Sequence, residues 1–200
     1  MPHALQCRCG KLRGQVERPE RANHVVCYCK DCQAFAHFLG RPNDILDVCG
    51  GSEIVQTQPR HVRFTEGAEH LACVRLTPAG LVRWYAGCCN TPIGNTMATP
   101  KMSFVGLVHS CLEAAAQPLN DAFGPIRCWV NTHGAKGPRR PTAVGVPRAA
   151  LWFLSTLIRA RLDGSYRQTP FFDVSGAPVV TPRVLGSGDR RALAEAVNDM

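Results

Sequence analysis

Apolar and polar residues change places over short distances along this chain. Residues 53–57, 61–65, 71–76 and 81–85 are each rich in β-branched and aromatic side chains and bounded by Gly or Pro, which predicts strands. Residues 24–27 and 103–108 read the same way. The runs at 71–76 and 81–85 flank Thr77-Pro78-Ala79-Gly80, a sequence suited to a hairpin on a type I turn. Strands separated by turns at about 8–12 residues predict small antiparallel sheets and argue against a βαβ fold. A helical period is predicted at 33–39, closed by Gly40, and at 112–117, stopped by Pro118. The strongest helix is expected over 148–162, and a short one over 190–197. The apolar stretch of the 148–162 helix is too short to cross a bilayer, so no membrane partner is expected and the helix is expected to dock on the core or form a homodimer contact. Residues 134–147 carry three Pro and three Gly and read as a long surface loop.

Composition narrows the class. The 200 residues are 45% hydrophobic and 19% charged, ordinary for a folded domain with a sizeable core. Eleven cysteines are many more than such a chain needs for packing. The opening residues Met1 to Gln6 carry neither a basic start nor an apolar run, so the cysteines are expected to be metal ligands in a reducing, cytoplasmic compartment. The formal charge of +8 treats every cysteine as neutral. Thiolate clusters around metal ions would offset about three of those units. No run of five basic residues occurs, so nucleic acid is not the expected partner; an anionic thiol is equally attracted by the remaining charge.

The densest chemistry is Cys27-Tyr28-Cys29-Lys30-Asp31-Cys32. Side chains at i and i+2 of an extended segment share a face, and a tight turn after the second returns the third. Three thiolates leave a tetrahedral ion one position short, where a substrate can enter, unless a further protein ligand closes the site. Cys7-Arg8-Cys9-Gly10 offers a second pair, read as two ligands on one face of an extended segment ahead of a glycine turn. Its missing partners are sought in Cys88-Cys89, with Cys89 the better placed of the two, because adjacent side chains point apart unless the chain bends there. Cys49, Cys73, Cys111 and Cys128 stand alone among apolar neighbours and read as buried free thiols. His24 and His37 bracket the triplet and could complete or tune its ion, although a lone histidine is more often a satisfied core or surface residue. Tyr28, Lys30 and Asp31 read as solvent-facing turn positions.

The order Cys-x-Cys-Gly, then Cys-x-Cys-x-x-Cys, then strands, then a cysteine before Thr91-Pro92-Ile93-Gly94, resembles the glutathione-dependent formaldehyde-activating enzyme and centromere protein V domain family. The resemblance covers about residues 3–115. It implies a mainly β fold of small coiled sheets stapled by zinc, here with one or two C-terminal helices. It divides the chain into a zinc-binding domain at 1–120 and an extension at 121–200 packed on it. It also implies a structural Zn2+ held by Cys7, Cys9 and the later pair, and a catalytic Zn2+ held by Cys27, Cys29 and Cys32. The implied activity is carbon–sulfur lyase chemistry on a glutathione-type hydroxymethyl thiol. The family's later pair is usually Cys-x-x-Cys-Gly, whereas Ala86 and Asn90 stand at the first cysteine and the glycine here. Its Cys-His-Cys opening reads Cys27-Tyr28-Cys29. From a different class, the alternative is a non-catalytic zinc-stapled module that contacts protein or nucleic acid.

Overall fold

The computed structural model describes residues 1–113 and 117–200. In chain order, β1 (His3–Gln6) and β2 (Arg13–Val16) form a hairpin, followed by β3 (Asn23–Cys27), α1 (Lys30–Phe38) and α2 (Pro42–Ile45). Next come β4 (Ser52–Thr57), β5 (Val62–Glu66), β6 (Leu71–Arg75), β7 (Val82–Ala86), β8 (Thr91–Thr96) and β9 (Val105–Val108). The chain ends with α3 (Leu119–Phe123), β10 (Cys128–Val130), α4 (Val146–Leu162), β11 (Arg183–Val184) and α5 (Ser187–Asn198). The fold is mainly β. One sheet has three strands in the order β1-β2-β5; the other has eight, in the order β10-β3-β4-β9-β8-β7-β6-β11. The helix expected over 112–117 falls on residues 114–116, outside the described residues.

The predicted strands and the 77–80 turn are present, with the Gly80 N–H donating to the Thr77 carbonyl at 3.0 Å. The sheets are not purely antiparallel as expected. β10 runs parallel to β3 and β11 parallel to β6, each on an edge of the large sheet. Both come from beyond residue 120, where long excursions through loop and helix give the chain the length a parallel return requires. Residues 121–200 thus supply both edge strands of the large sheet.

One core lies between the sheets. Leu5, Leu12 and Val16 of the hairpin region meet Val55, Trp84, Ile93 and Leu107 of the large sheet. Phe171 and Phe172 reach in from the C-terminal segment, with ring centroids 5.2 and 6.2 Å from Trp84. Each such fully buried large side chain contributes about 1.5–3 kcal/mol by leaving water. A second cluster covers the far face of the sheet, where Phe35, Ala36 and Leu39 pack on Val74, Leu76 and Leu185. The strand β7 is therefore buried on both faces, and Arg83, which alternation would send to solvent, is 2% exposed.

His24 belongs to this framework. Its Nε2 lies 2.7 Å from Glu53 Oε1 and its Nδ1 2.8 Å from the Gly124 carbonyl, and the protonated ring donates to both, so both nitrogens are used. His37 faces Met200 at 2.9 Å. The sulfur triplet thus draws on neither histidine, each being committed to another contact. Burial lowers the His24 pKa, but Glu53 and the Gly124 carbonyl outweigh it and raise the value above 6.5; the His24 hydrogen bond holds Glu53 below 4.5 despite its partial burial. The His24 contribution is present below about pH 6.5 and lost as pH rises through its raised folded value; that of Glu53 is present above about pH 4.5 and lost as pH falls through its lowered one. Glu53→Gln is accordingly expected to destabilise the protein most between about pH 4.5 and 6.5, with the difference from wild type shrinking as pH rises through the raised His24 value. Urea unfolding of both proteins at about pH 5.5 and about pH 8.5 checks this.

Candidate metal centres

Seven sulfurs gather in two groups. Cys7, Cys9, Cys88 and Cys89 form one; Cys27, Cys29 and Cys32 form the other; within each group the sulfurs all lie within 4.8 Å of one another.

The first group joins the two sheets. Cys7 and Cys9 do not lie on an extended segment. They sit in the turn after β1, where the Gly10 N–H donates to the Cys7 carbonyl at 2.9 Å and Gly10 takes a φ of 75°. Across that bend the two sulfurs point at one spot. Cys88 and Cys89 occupy the turn between β7 and β8, closed by Cys89 and Asn90 N–H groups on the Ala86 carbonyl at 3.2 and 2.9 Å. Asn90 adopts φ 54°, the left-handed conformation that glycine usually supplies and asparagine tolerates. The departure at Asn90 thus leaves the turn intact, and adjacent cysteines share a site because the backbone is bent there. Cys88 Sγ lies 3.3 Å from Cys9, 3.9 Å from Cys7 and 3.8 Å from Cys89, so the group takes in both Cys89, which the sequence favours, and Cys88. Cys7 and Cys9 are 3.6 Å apart. Four sulfurs bound tetrahedrally at about 2.3 Å lie about 3.8 Å from each other, so these spacings fit one ion. The Leu12 N–H donates to Cys7 Sγ at 3.3 Å, and Thr91 Oγ1 lies 3.2 Å from Cys89 Sγ.

The second group is set by a strand end and a helix start. Cys27 closes β3, Cys29 caps α1, and Cys32 returns within the first turn of that helix, where its N–H donates to Cys29 Sγ at 3.4 Å. Thiolates at a helix N-terminus are favoured by its unpaired N–H groups. Hydrogen bonds from Cys29 and Cys32 pull the Cys27 thiol down to about 3 against the cost of its burial, with help from the Cys29 backbone and the Asn131 amide. The same contacts leave Cys29 raised, first by Cys27, and Cys32 raised well above 9.0 by Cys27 and Cys29. Three sulfurs this close share protons unless a cation displaces all of them, which is the donor set a soft divalent ion requires.

The groups differ in closure. Among the described residues, no fourth His, Cys, Asp or Glu joins the triplet. The triplet instead lines a cleft of about 420 Å³ together with Arg83, Asn95, Asn131 and His133. Sequence reasoning singled out none of these four. Asn131, which follows β10, donates from Nδ2 to Cys27 Sγ at 3.3 Å. A Cβ on Gly134 would collide with the Tyr28 carbonyl oxygen, so glycine there lets the 131–134 loop close over the triplet. Arg83 donates to Asn95 Oδ1 at 3.0 Å, lies 3.6 Å from exposed Asp31 and sits over the Phe35 ring at 5.4 Å. A charged residue inside the apolar run Val82–Trp84 was the one signal available, and it reads equally as a solvent-facing strand position. Tyr28 is not a solvent-facing turn residue: it is buried, and its hydroxyl donates to Asp47 at 3.0 Å, away from the cleft. Burial, then Asp47, raises its pKa. Lys30 and Asp31 are exposed as expected. Cys73, Cys111 and Cys128 are buried free thiols and Cys49 is half-buried.

Fold and sites define a mainly β, two-sheet protein with two cysteine groups, each able to hold a metal ion. The family model described as "Family of unknown function (DUF6151)" matches residues 2–181, and the chain belongs to that family. No curated protein matches it. Among solved structures it is similar to a Rhodobacter sphaeroides protein determined as a Northeast Structural Genomics target, at 18% identity and a TM-score of 0.40, over 64% of this chain and 99% of that one.

Cys88→Ser is expected to remove one metal equivalent per chain and to cost about 4 kcal/mol or more of stability, the range associated with loss of a metal. Cys49→Ser, outside both groups, should change neither; elemental analysis and thermal unfolding of the two variants check this.

Proposed function

We propose that the protein is a zinc-dependent carbon–sulfur lyase-like enzyme acting on a small anionic thiol adduct of the glutathione type. The observation that carries this reading is the contrast between the groups: four sulfurs closed around one point, three opening on a cleft. The order of the cysteine motifs, which resembles the formaldehyde-activating family, supports the same chemistry. Zinc suits both donor sets, and at the triplet it would supply a Lewis acid that lowers the pKa of an incoming thiol.

The protein's own groups then bind and orient. Arg83 is a guanidinium lining the cleft with a neutral hydrogen-bond partner in Asn95 and only a long contact to exposed Asp31, which supports reading it as the contact for a substrate carboxylate. Asn131 holds the Cys27 sulfur in place. In the synthetic direction, the thiol sulfur attacks the aldehyde carbon, one carbon–sulfur bond forms, the carbonyl π pair moves to oxygen, and the thiol proton ends on the new hydroxyl. No oxidant or reductant is consumed. His133, an imidazole lining the cleft, can carry that proton. Lyase chemistry is the same step reversed.

The test is the rate at which glutathione and formaldehyde exchange with their hydroxymethyl adduct, followed by NMR. Wild type is expected to accelerate it. Cys29→Ser should lose the acceleration and one of two zinc ions while staying folded, because the other group is untouched. Arg83→Met should weaken apparent affinity for glutathione about tenfold or more while leaving a neutral thiol such as 2-mercaptoethanol unaffected, since a charge-assisted hydrogen bond is worth about 1.5–3 kcal/mol. Exchange no faster than in buffer removes this substrate. Unfolding of Cys29→Ser favours a purely structural triplet.

A further inference from the structure

Helix α4 leaves an apolar stripe uncovered. Leu151, Leu154, Ile158 and Leu162 follow one another at three- and four-residue spacing, and they are 69, 54, 49 and 83% exposed. The opposite side of the helix docks, with Ala160 buried and Phe153 against Phe104 at 5.2 Å. Exposed leucines in a line cost solubility unless something covers them.

The charge around the stripe selects the occupant. From residue 122 to residue 162 the chain holds seven basic residues and no Asp or Glu. Arg148 and Arg159 project beside the stripe on one flank and Arg161 on the other, as 3.6 residues per turn dictates. A second copy of the helix would bring arginines against arginines with no acid on α4 to pair them. An anionic surface meets no such repulsion. Next to the stripe, Trp152 and Arg159 of α4 form one wall of a cleft of about 450 Å³ whose other basic residues are Arg21, Arg60, His61 and Arg127 and whose one acid is Glu20. Arg60 pairs with Asp163 at 3.1 Å; among the described residues, Arg21, Arg127 and Arg159 make no ion pair within 4 Å, Glu20 of the same cleft included. Apolar side chains flanked by arginines, with a basic cleft roomy enough for a phosphate headgroup and a tryptophan at the edge, form the arrangement of a helix lying in a lipid interface.

We infer that α4 is a membrane-surface element, seating its leucine stripe in an anionic phospholipid leaflet with a headgroup phosphate in the arginine cleft. The helix is too short to cross a bilayer, and it lies along the surface. Co-sedimentation with vesicles tests this. At low ionic strength the 200-residue, metal-loaded protein is expected to pellet with phosphatidylcholine–phosphatidylglycerol vesicles, to stay in solution with phosphatidylcholine alone, and to be released by about 0.5 M salt, where screening is nearly complete. Leu154→Glu combined with Ile158→Glu, two exposed substitutions, should abolish pelleting while metal content stays unchanged. The inference is overturned if wild type ignores the anionic vesicles, or if the double variant pellets equally well. It is also overturned if wild type sediments as a dimer that the double variant dissociates, which makes the stripe a seam between two copies.

Discussion

Sulfur atoms held within about 4 Å of one another repel as thiolates and compete for protons as thiols, and a divalent cation relieves both at once. Much of the architecture serves to bring sulfurs that close. The turn at Gly10 and the turn at Asn90 each bend two cysteines inward, and those turns belong to different sheets. A metal between them would therefore clamp the three-stranded sheet onto the eight-stranded one at the rim of their shared core. The triplet uses other means: a strand end, a helix cap and a first helical turn, with Asn131 brought from the neighbouring parallel strand. One group is built between loops as a closed knot. The other is built on rigid elements beside a cleft, which is how a site that must meet a ligand is best held.

Legibility in the sequence followed the range of the interactions. Alternation and turn residues exposed the strands and the β6–β7 hairpin because those signals are local. Cysteine spacing pointed to both sulfur groups for the same reason. What stayed hidden was set by residues far away in the chain. Arg83 lies on the face that a half-buried strand would give to water, and only the helices covering that face make it a buried charge beside the triplet. Asn131 reaches Cys27 across 104 positions, through a parallel pairing that no local pattern encodes. Tyr28 looked like a turn residue until Asp47 supplied a buried partner for its hydroxyl. Cys88 joins Cys89 in one group because a bent turn erases the rule that neighbours point apart.

The C-terminal region is part of the same body. It supplies both edge strands of the large sheet, two phenylalanines of the main core and the loop over the triplet. Helix α4 is the exception, docked by one side and bare on the other. The proposed thiol chemistry and the proposed membrane contact both invoke basic side chains, Arg83 beside the triplet and the arginines that flank the α4 stripe.

The central claim is that one sulfur group is closed and the other open. X-ray absorption at the zinc edge of the fully loaded protein, with and without glutathione, measures this directly. Seven sulfurs shared by two ions predict an average between three and four sulfurs per ion, with a light-atom neighbour that gives way to sulfur when glutathione is added. Four sulfurs around every ion in the free protein, or a spectrum indifferent to the thiol, would contradict it.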